Sequence, residues 1–150
     1  MARYNTIYAG PTTEVRPQVQ EAPAADADIL PGNLIVRTGG EFDNAGAATT
    51  GRIFVAQDNY LTMKDVDTAY TTGDVVMGME MLDEQFFNLR FPTGVNVTLD
   101  AAIAPGADGK CALAAAGDLV IGYAEEAYNN TSGADQLVRV RAAKMHLLPA

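Results

Sequence analysis

Apolar residues in this chain come in short runs, and three of the runs are launched by the same kind of signal. Pro31-Gly32-Asn33 precedes Leu34-Ile35-Val36, Thr72-Gly73-Asp74 precedes Val75-Val76-Met77, and Ala116-Gly117-Asp118 precedes Leu119-Val120-Ile121. Gly beside Asp or Asn accepts the backbone angles of a tight turn, and aliphatic or β-branched runs fit a buried strand. Further strands are expected at Arg52 to Ala56, Phe86 to Phe91 (ended by Pro92), Lys110 to Leu113 and Gln136 to Arg141. Val95-Asn96-Val97-Thr98-Leu99 alternates with period two, as a half-buried strand does. Pro105 to Lys110 reads as a hairpin-like connector, and Tyr128 to Gly133 as a polar turn. Helix is least implausible at Asp100 to Ala104 or Ala142 to Leu147, and short in either place. Roughly eight strands without a long helix predict an all-β domain, a small antiparallel barrel or sandwich.

The first 28 residues follow another rule. Pro11, Pro17 and Pro23 recur at intervals of six, and the stretch between them is neither helical nor alternating. Proline fixes φ and lacks a donor, so residues 1–28 are expected to form an extended arm outside the sheet. Tyr4, Ile7, Tyr8, Val15 and Val19 give this arm apolar anchors, which favours an arm draped over a neighbouring subunit over a disordered leader. The folded domain is then residues 29–150.

Composition narrows the partners. Ten Lys and Arg against nineteen Asp and Glu leave a net charge of -9, with a pI near 4.4. Binding to nucleic acid needs a basic stripe, and adhesion to an anionic membrane needs the same sign, so neither is expected. No stretch approaches the roughly 20 apolar residues of a membrane-spanning helix. The apolar share of 48% supports a core. Much of it is Ala, and Trp is absent, so that core should be thin-layered, with subunit contacts adding stability. The start, Met1 to Asn5, lacks the apolar segment of a signal peptide, and the lone Cys111 cannot make an internal disulfide. Synthesis in a cytoplasm is the expectation.

Reactive constellations are weak. His146 is the only histidine and Ser132 the only serine, the latter in an Asn-rich turn and not on a nucleophile elbow. Cys111 reads as a small buried residue. Asp26 with Asp28, and Asp65 with Asp67, share a side of an extended chain, but a calcium loop gathers more oxygen ligands than this. Gly39-Gly40 and Gly46 lack the Lys-Ser/Thr that a phosphate loop requires. Met77, Met79 and Met81 at spacing two read as core, with a deformable contact surface as the alternative. Arg139 and Arg141 share a strand face and read as solvated, or at a subunit contact as partners for carboxylates. No catalytic residue, cofactor or metal is expected.

Read in order, the chain resembles the head decoration, or capsid cement, proteins of tailed phages. The residues that carry the resemblance are Ile29 to Val36, Ile53-Phe54-Val55-Ala56, Tyr70 to Val76 and the late Ile121-Gly122-Tyr123-Ala124-Glu125 block. It spans residues 29–141. It implies a small β-barrel, β-tulip or jelly-roll-like fold on the exterior of the virion capsid, made in a host bacterial cytoplasm. The implied partners are the major capsid protein and further copies of the chain, a trimer ahead of a dimer. The implied role is to brace the expanded shell against packaged DNA, with no catalysis. The alternatives are a structural subunit of a phage tail or baseplate and, further off, a β-barrel that binds a small ligand.

Overall fold

Each of the three glycine-led signals folds into the same turn in the computed structural model, which describes residues 3–10, 18–25 and 28–149. The last turn residue donates its N–H three positions back: Asn33 to Leu30 at 3.0 Å, Asp74 to Thr71 at 2.8 Å, Asp118 to Ala115 at 3.0 Å. Gly32, Gly73 and Gly117 stand at φ of 89°, 85° and 89°, as the third residue of a type II turn must. Asp74 and Asp118 then close the loop with their carboxylates, accepting from the N–H of Thr71 (2.9 Å) and of Ala115 (2.8 Å). Asn33 instead donates its side-chain amide to Asn44 Oδ1 at 2.9 Å, tying its turn to another strand.

These turns start β3 (Leu34–Thr38), β6 (Val75–Glu80) and β11 (Leu119–Ala124). The other strands are β1 (Tyr8–Gly10), β2 (Val19–Pro23), β4 (Glu41–Asn44), β5 (Phe54–Ala56), β7 (Phe86–Phe91) and β8 (Asn96–Val97). Then come β9 (Ala102–Pro105), β10 (Cys111–Leu113), β12 (Tyr128–Asn129) and the long β13 (Gln136–Leu147). One sheet has the order β1-β7-β13-β11-β9-β10, a second β2-β6-β5-β3-β4, and β12 pairs β8 alone. The sheets are antiparallel and curled into a half-barrel or sandwich, so the all-β expectation holds.

The core has two layers. Phe87, Leu89 and Phe91 from β7, Val138 and Val140 from β13, and Ile121 from β11 pack with Leu34, Val55 and Met79 of the second sheet. Strand alternation turns Ile35, Phe54, Ala56 and Val76 to that sheet's other face. There Ile29, Phe42 and Tyr70 cover them, with Phe42 edge-on to Phe54 at 5.4 Å. Two faces of one small sheet are thereby kept dry, and small residues such as Ala22, Ala24 and Ala56 fit the thin second layer. Met77, Met79 and Met81 are all buried.

Three expectations need correcting. The two helix candidates are strand: β9 occupies 102–105 because Ile103 and Ala104 are drawn between β10 and β11, and β13 runs on to Leu147 against Leu119. Around Gly122 the β11–β13 register shifts, and a Cβ there would lie 2.4 Å from Arg141 O, so the close approach of β13 depends on that glycine. The stretch from Thr38 to Gly46, whose glycines read as a loop in the sequence, contains β4, whose Phe42 is buried.

The third correction concerns the arm. Among the described residues, 8–10 and 19–23 are extended but lie within the sheets: β1 pairs β7, β2 pairs β6 over five residues, and Ile7 is fully buried. Proline permits this because β2 is an edge strand. Gln18 and Ala24 bond inward to Glu80 and Asp74, so alternation points the missing donor of Pro23 toward solvent. Strands on both sides of residue 28 therefore share one sheet. Val15 and Asp26 lie outside the described residues.

Burial also sets an alkaline limit. The Tyr70 hydroxyl donates to Gln57 O at 2.7 Å inside the second layer, and burial, then Asp58 and Asp74, push its pKa well above the ordinary phenol value. Burial alone pushes the Cys111 thiol up as well. Both groups are raised in the folded state, so their contribution is complete below the unfolded pKa and declines as pH climbs past it. The unfolded thiol titrates from about 8.5 and the phenol from about 10, each then costing ~1.4 kcal/mol per pH unit. The urea midpoint should stay level from pH 7 to 8 and fall above about pH 9, with Cys111→Ala moving the onset to about pH 10. A midpoint still level at about pH 11 would contradict the burial of both groups.

Candidate interaction surface

The N-terminal residues and the predicted arginines meet on the first sheet. The Tyr4 hydroxyl lies 2.9 and 2.8 Å from the two carboxylate oxygens of Glu126, and Arg3 pairs with the same carboxylate at 3.3 Å. Burial first, then the Glu126 hydrogen bond, raises the Tyr4 pKa. Arg3 also lies 3.9 Å from the ring centre of Tyr128, and the Arg139 guanidinium is 5.4 Å from that of Tyr4. The Arg139 backbone N–H donates to Glu126 at 2.8 Å, while Arg141 pairs with Glu125 at 3.1 Å. Tyr8 stands edge-on to Phe87 at 5.8 Å. Arg141 thus has a carboxylate of its own chain, while Arg139 meets Glu126 through its backbone only. Of the five arm anchors, Ile7 is buried, Tyr4 and Tyr8 are half-buried, Val19 is exposed and Val15 is outside the described residues.

A different surface stands out for exposure. In the loop after β5, Tyr60 is 61%, Leu61 71% and Met63 93% exposed. Their backbone is nonetheless fixed. Asn59, itself buried, accepts from Thr62 N at 3.3 Å through its side chain and from Lys64 N at 3.3 Å through its carbonyl, and Met63 N donates to Tyr60 O at 3.2 Å. Gln57 anchors the base by donating to Val55 O at 2.9 Å and accepting from Tyr70. Met63 adopts φ 54° and ψ 31°, a left-handed conformation that an L-residue holds at a cost of roughly 1 kcal/mol or more. The result is an apolar tip held in water on a hydrogen-bonded turn. Asp58-Asn59-Tyr60 reads as a turn in the sequence, and the only hint of the tip is an apolar triplet that fits neither strand nor helix period.

At the other end of β5 two open grooves flank Arg52. One, of about 400 Å³, is lined by Gln20, Val36, Arg37, Thr50, Arg52 and Phe54. The second, of about 330 Å³, includes Ile53, Glu80, Met81, Lys144 and Met145. Arg52 grips Glu80 with two bonds of 2.7 and 2.6 Å, which lowers the carboxyl pKa, and its guanidinium lies 5.1 Å from the Phe54 ring centre.

The reactive residues are dispersed. His146 contacts Tyr123 Oη at 3.3 Å and Lys144 O at 2.9 Å. Ser132 Oγ lies 2.7 Å from Asn130 Oδ1, and Cys111 is buried in β10. Asp65 accepts from Asp67 N and Thr68 Oγ1 within its own turn, Asp67 pairs with Arg90 at 3.2 Å, and Asp28 accepts from Asn44 at 3.0 Å. Among the described residues no three His, Cys, Asp or Glu side chains are grouped to hold a metal ion. No protein-family model matches the chain, and no curated protein matches it.

Proposed function

We propose that this chain is a structural subunit of a phage virion, a decoration protein that binds the outer surface of the capsid as a homo-oligomer. The observation that carries the reading is the exposed, hydrogen-bond-capped Tyr60-Leu61-Met63 tip on a small β-body. Holding large apolar side chains in water on a fixed backbone favours association by limiting the ordering cost at contact. The resemblance of residues 29–141 to phage head decoration proteins points the same way. The acidic surface suits a protein present at high local density, where like charge keeps unbound copies apart.

The test is reconstitution. Purified protein is mixed with expanded empty shells assembled from the capsid protein of the same genome, and co-sedimentation is measured. Saturable binding at a fixed ratio to capsid subunits is expected, and DNA-filled particles lacking the protein should release DNA at a lower temperature than decorated ones. Absence of binding to shells, with recovery in isolated tails, would replace this reading with that of a tail or baseplate subunit.

A further inference from the structure

We infer that the Tyr60–Met63 tip of one copy seats in the groove between Gln20, Arg37, Arg52 and Phe54 of a second copy, joining copies head to tail. This rests on the oligomeric part of the proposal above and is independent of the shell. Three observations converge on it. The first is placement. In the second sheet Leu34 pairs with Val55 and Ile35 with Phe54, which sets Arg37 and Arg52 at one end of the middle strand, while the tip leaves from the other. A knob and a socket at opposite ends of a subunit make a heterologous contact, which closes into a ring or continues as a filament according to its rotation.

The second observation is chemistry. Asp58 and Asp65 flank the apolar tip, and the one cation within it, Lys64, is 3.7 Å from Asp74. The groove offers the complement, with half-buried Val36 for apolar contact, Arg37 and Arg52 beside it, and the buried Phe54 beneath. Glu80 neutralises Arg52, but among the described residues Arg37 has no carboxylate partner and donates only to Gln20, at 3.3 Å. An acid-flanked apolar knob and a cation-flanked apolar socket select each other and repel their own kind.

The third observation is size. A groove of about 400 Å³ lies in the range that accommodates a small-molecule-sized body, and a tip of three side chains is of that order. Such a contact falls short of the ~1,000 Å² that a stable interface buries. Association should therefore be weak in free solution and strengthened when copies are held side by side.

Complementation of two surface variants tests the contact. Leu61→Asp with Met63→Asp disables the knob, and Arg37→Glu disables the socket; all three positions are exposed. Matching circular dichroism and urea midpoints establish that both variants fold. In sedimentation velocity at high concentration, the unmodified chain should associate reversibly. Each variant alone should associate at least about tenfold more weakly. An equal mixture retains one intact knob and one intact socket, so it should form dimers and nothing larger. The inference is overturned if the unmodified chain remains monomeric at the highest concentration reached, if either variant associates as well as it does, or if the mixture associates no better than its components. Shell binding of the unmodified chain, measured separately, reports on the capsid proposal.

Discussion

Replacing Arg90 with Met should lower folding stability by about 3 kcal/mol, a large part of the 5–15 kcal/mol typical of a domain. Arg90 stands on β7 and is 2% exposed, yet it is not in the hydrophobic layer. Its Nε donates to Pro31 O at 2.7 Å, and its terminal nitrogen donates to Val66 O and meets Asp67 at 3.2 Å. The Arg90 backbone N–H also bonds Gly32 O at 3.1 Å. One side chain thus fastens the first glycine turn and the 65–67 turn onto the sheet. Met would fill much of the volume but leave two carbonyls in a dry site without their donor, which is the costly case. Lys should rescue little, since an ammonium cannot reproduce the planar fork that reaches two segments. Asp67→Asn should cost under about 1 kcal/mol, because that carboxylate is 39% exposed and solvent already screens the pair. The urea midpoints of the three variants check the ordering. Equal losses for Arg90→Met and Asp67→Asn would mean that the ion pair, not the carbonyl bonds, carries the stabilisation.

Arg90 also marks the limit of what the sequence discloses. The run Phe86-Phe87-Asn88-Leu89-Arg90-Phe91 is legible as a strand, and its bounds are those of β7. The burial of its arginine is not legible, because it depends on turns 24 and 59 residues away. The three glycine-led turns were readable because their requirement is local: one glycine with positive φ fixes each turn, and in two of them a short carboxylate closes it. The second core layer was not, since nothing local to Ile35 or Phe54 tells that Ile29 and Tyr70 will cover that face. The exposed tip was missed for a related reason. Apolar residues in a sequence are read as candidates for the core, and only the buried Asn59 cap and the anchoring of Gln57 turn this triplet outward.

Removing residues 2–10 should destabilise the domain by at least about 4 kcal/mol, through lost burial of Ile7 and the hydrogen bonds it brings. Ile7→Ala alone should cost about 3 kcal/mol, in the range for emptying a fully buried aliphatic site. Ile7 is 0% exposed and packs in the layer that contains Phe87 and Leu89. Its carbonyl accepts from Asn88 N at 2.9 Å, and the carbonyl of Thr6 accepts from the Asn88 side chain at 2.8 Å. Truncation would therefore strip β7 of its neighbour and expose an edge that begins with two phenylalanines, an open template for another chain. Soluble aggregates should accompany the loss of stability. An arm free to tie neighbouring subunits would behave in the opposite way, since its removal would abolish attachment while leaving the urea midpoint unchanged. Residues 3–10, whose Ile7 fills the core of their own domain, cannot reach a neighbour without vacating that site. Attachment to a partner then falls to surfaces that are already exposed, the 60–63 tip first among them. If the truncated chain unfolds at the same urea concentration as the full one, Ile7 does not hold the core together and the N-terminal segment regains its place as a binding arm.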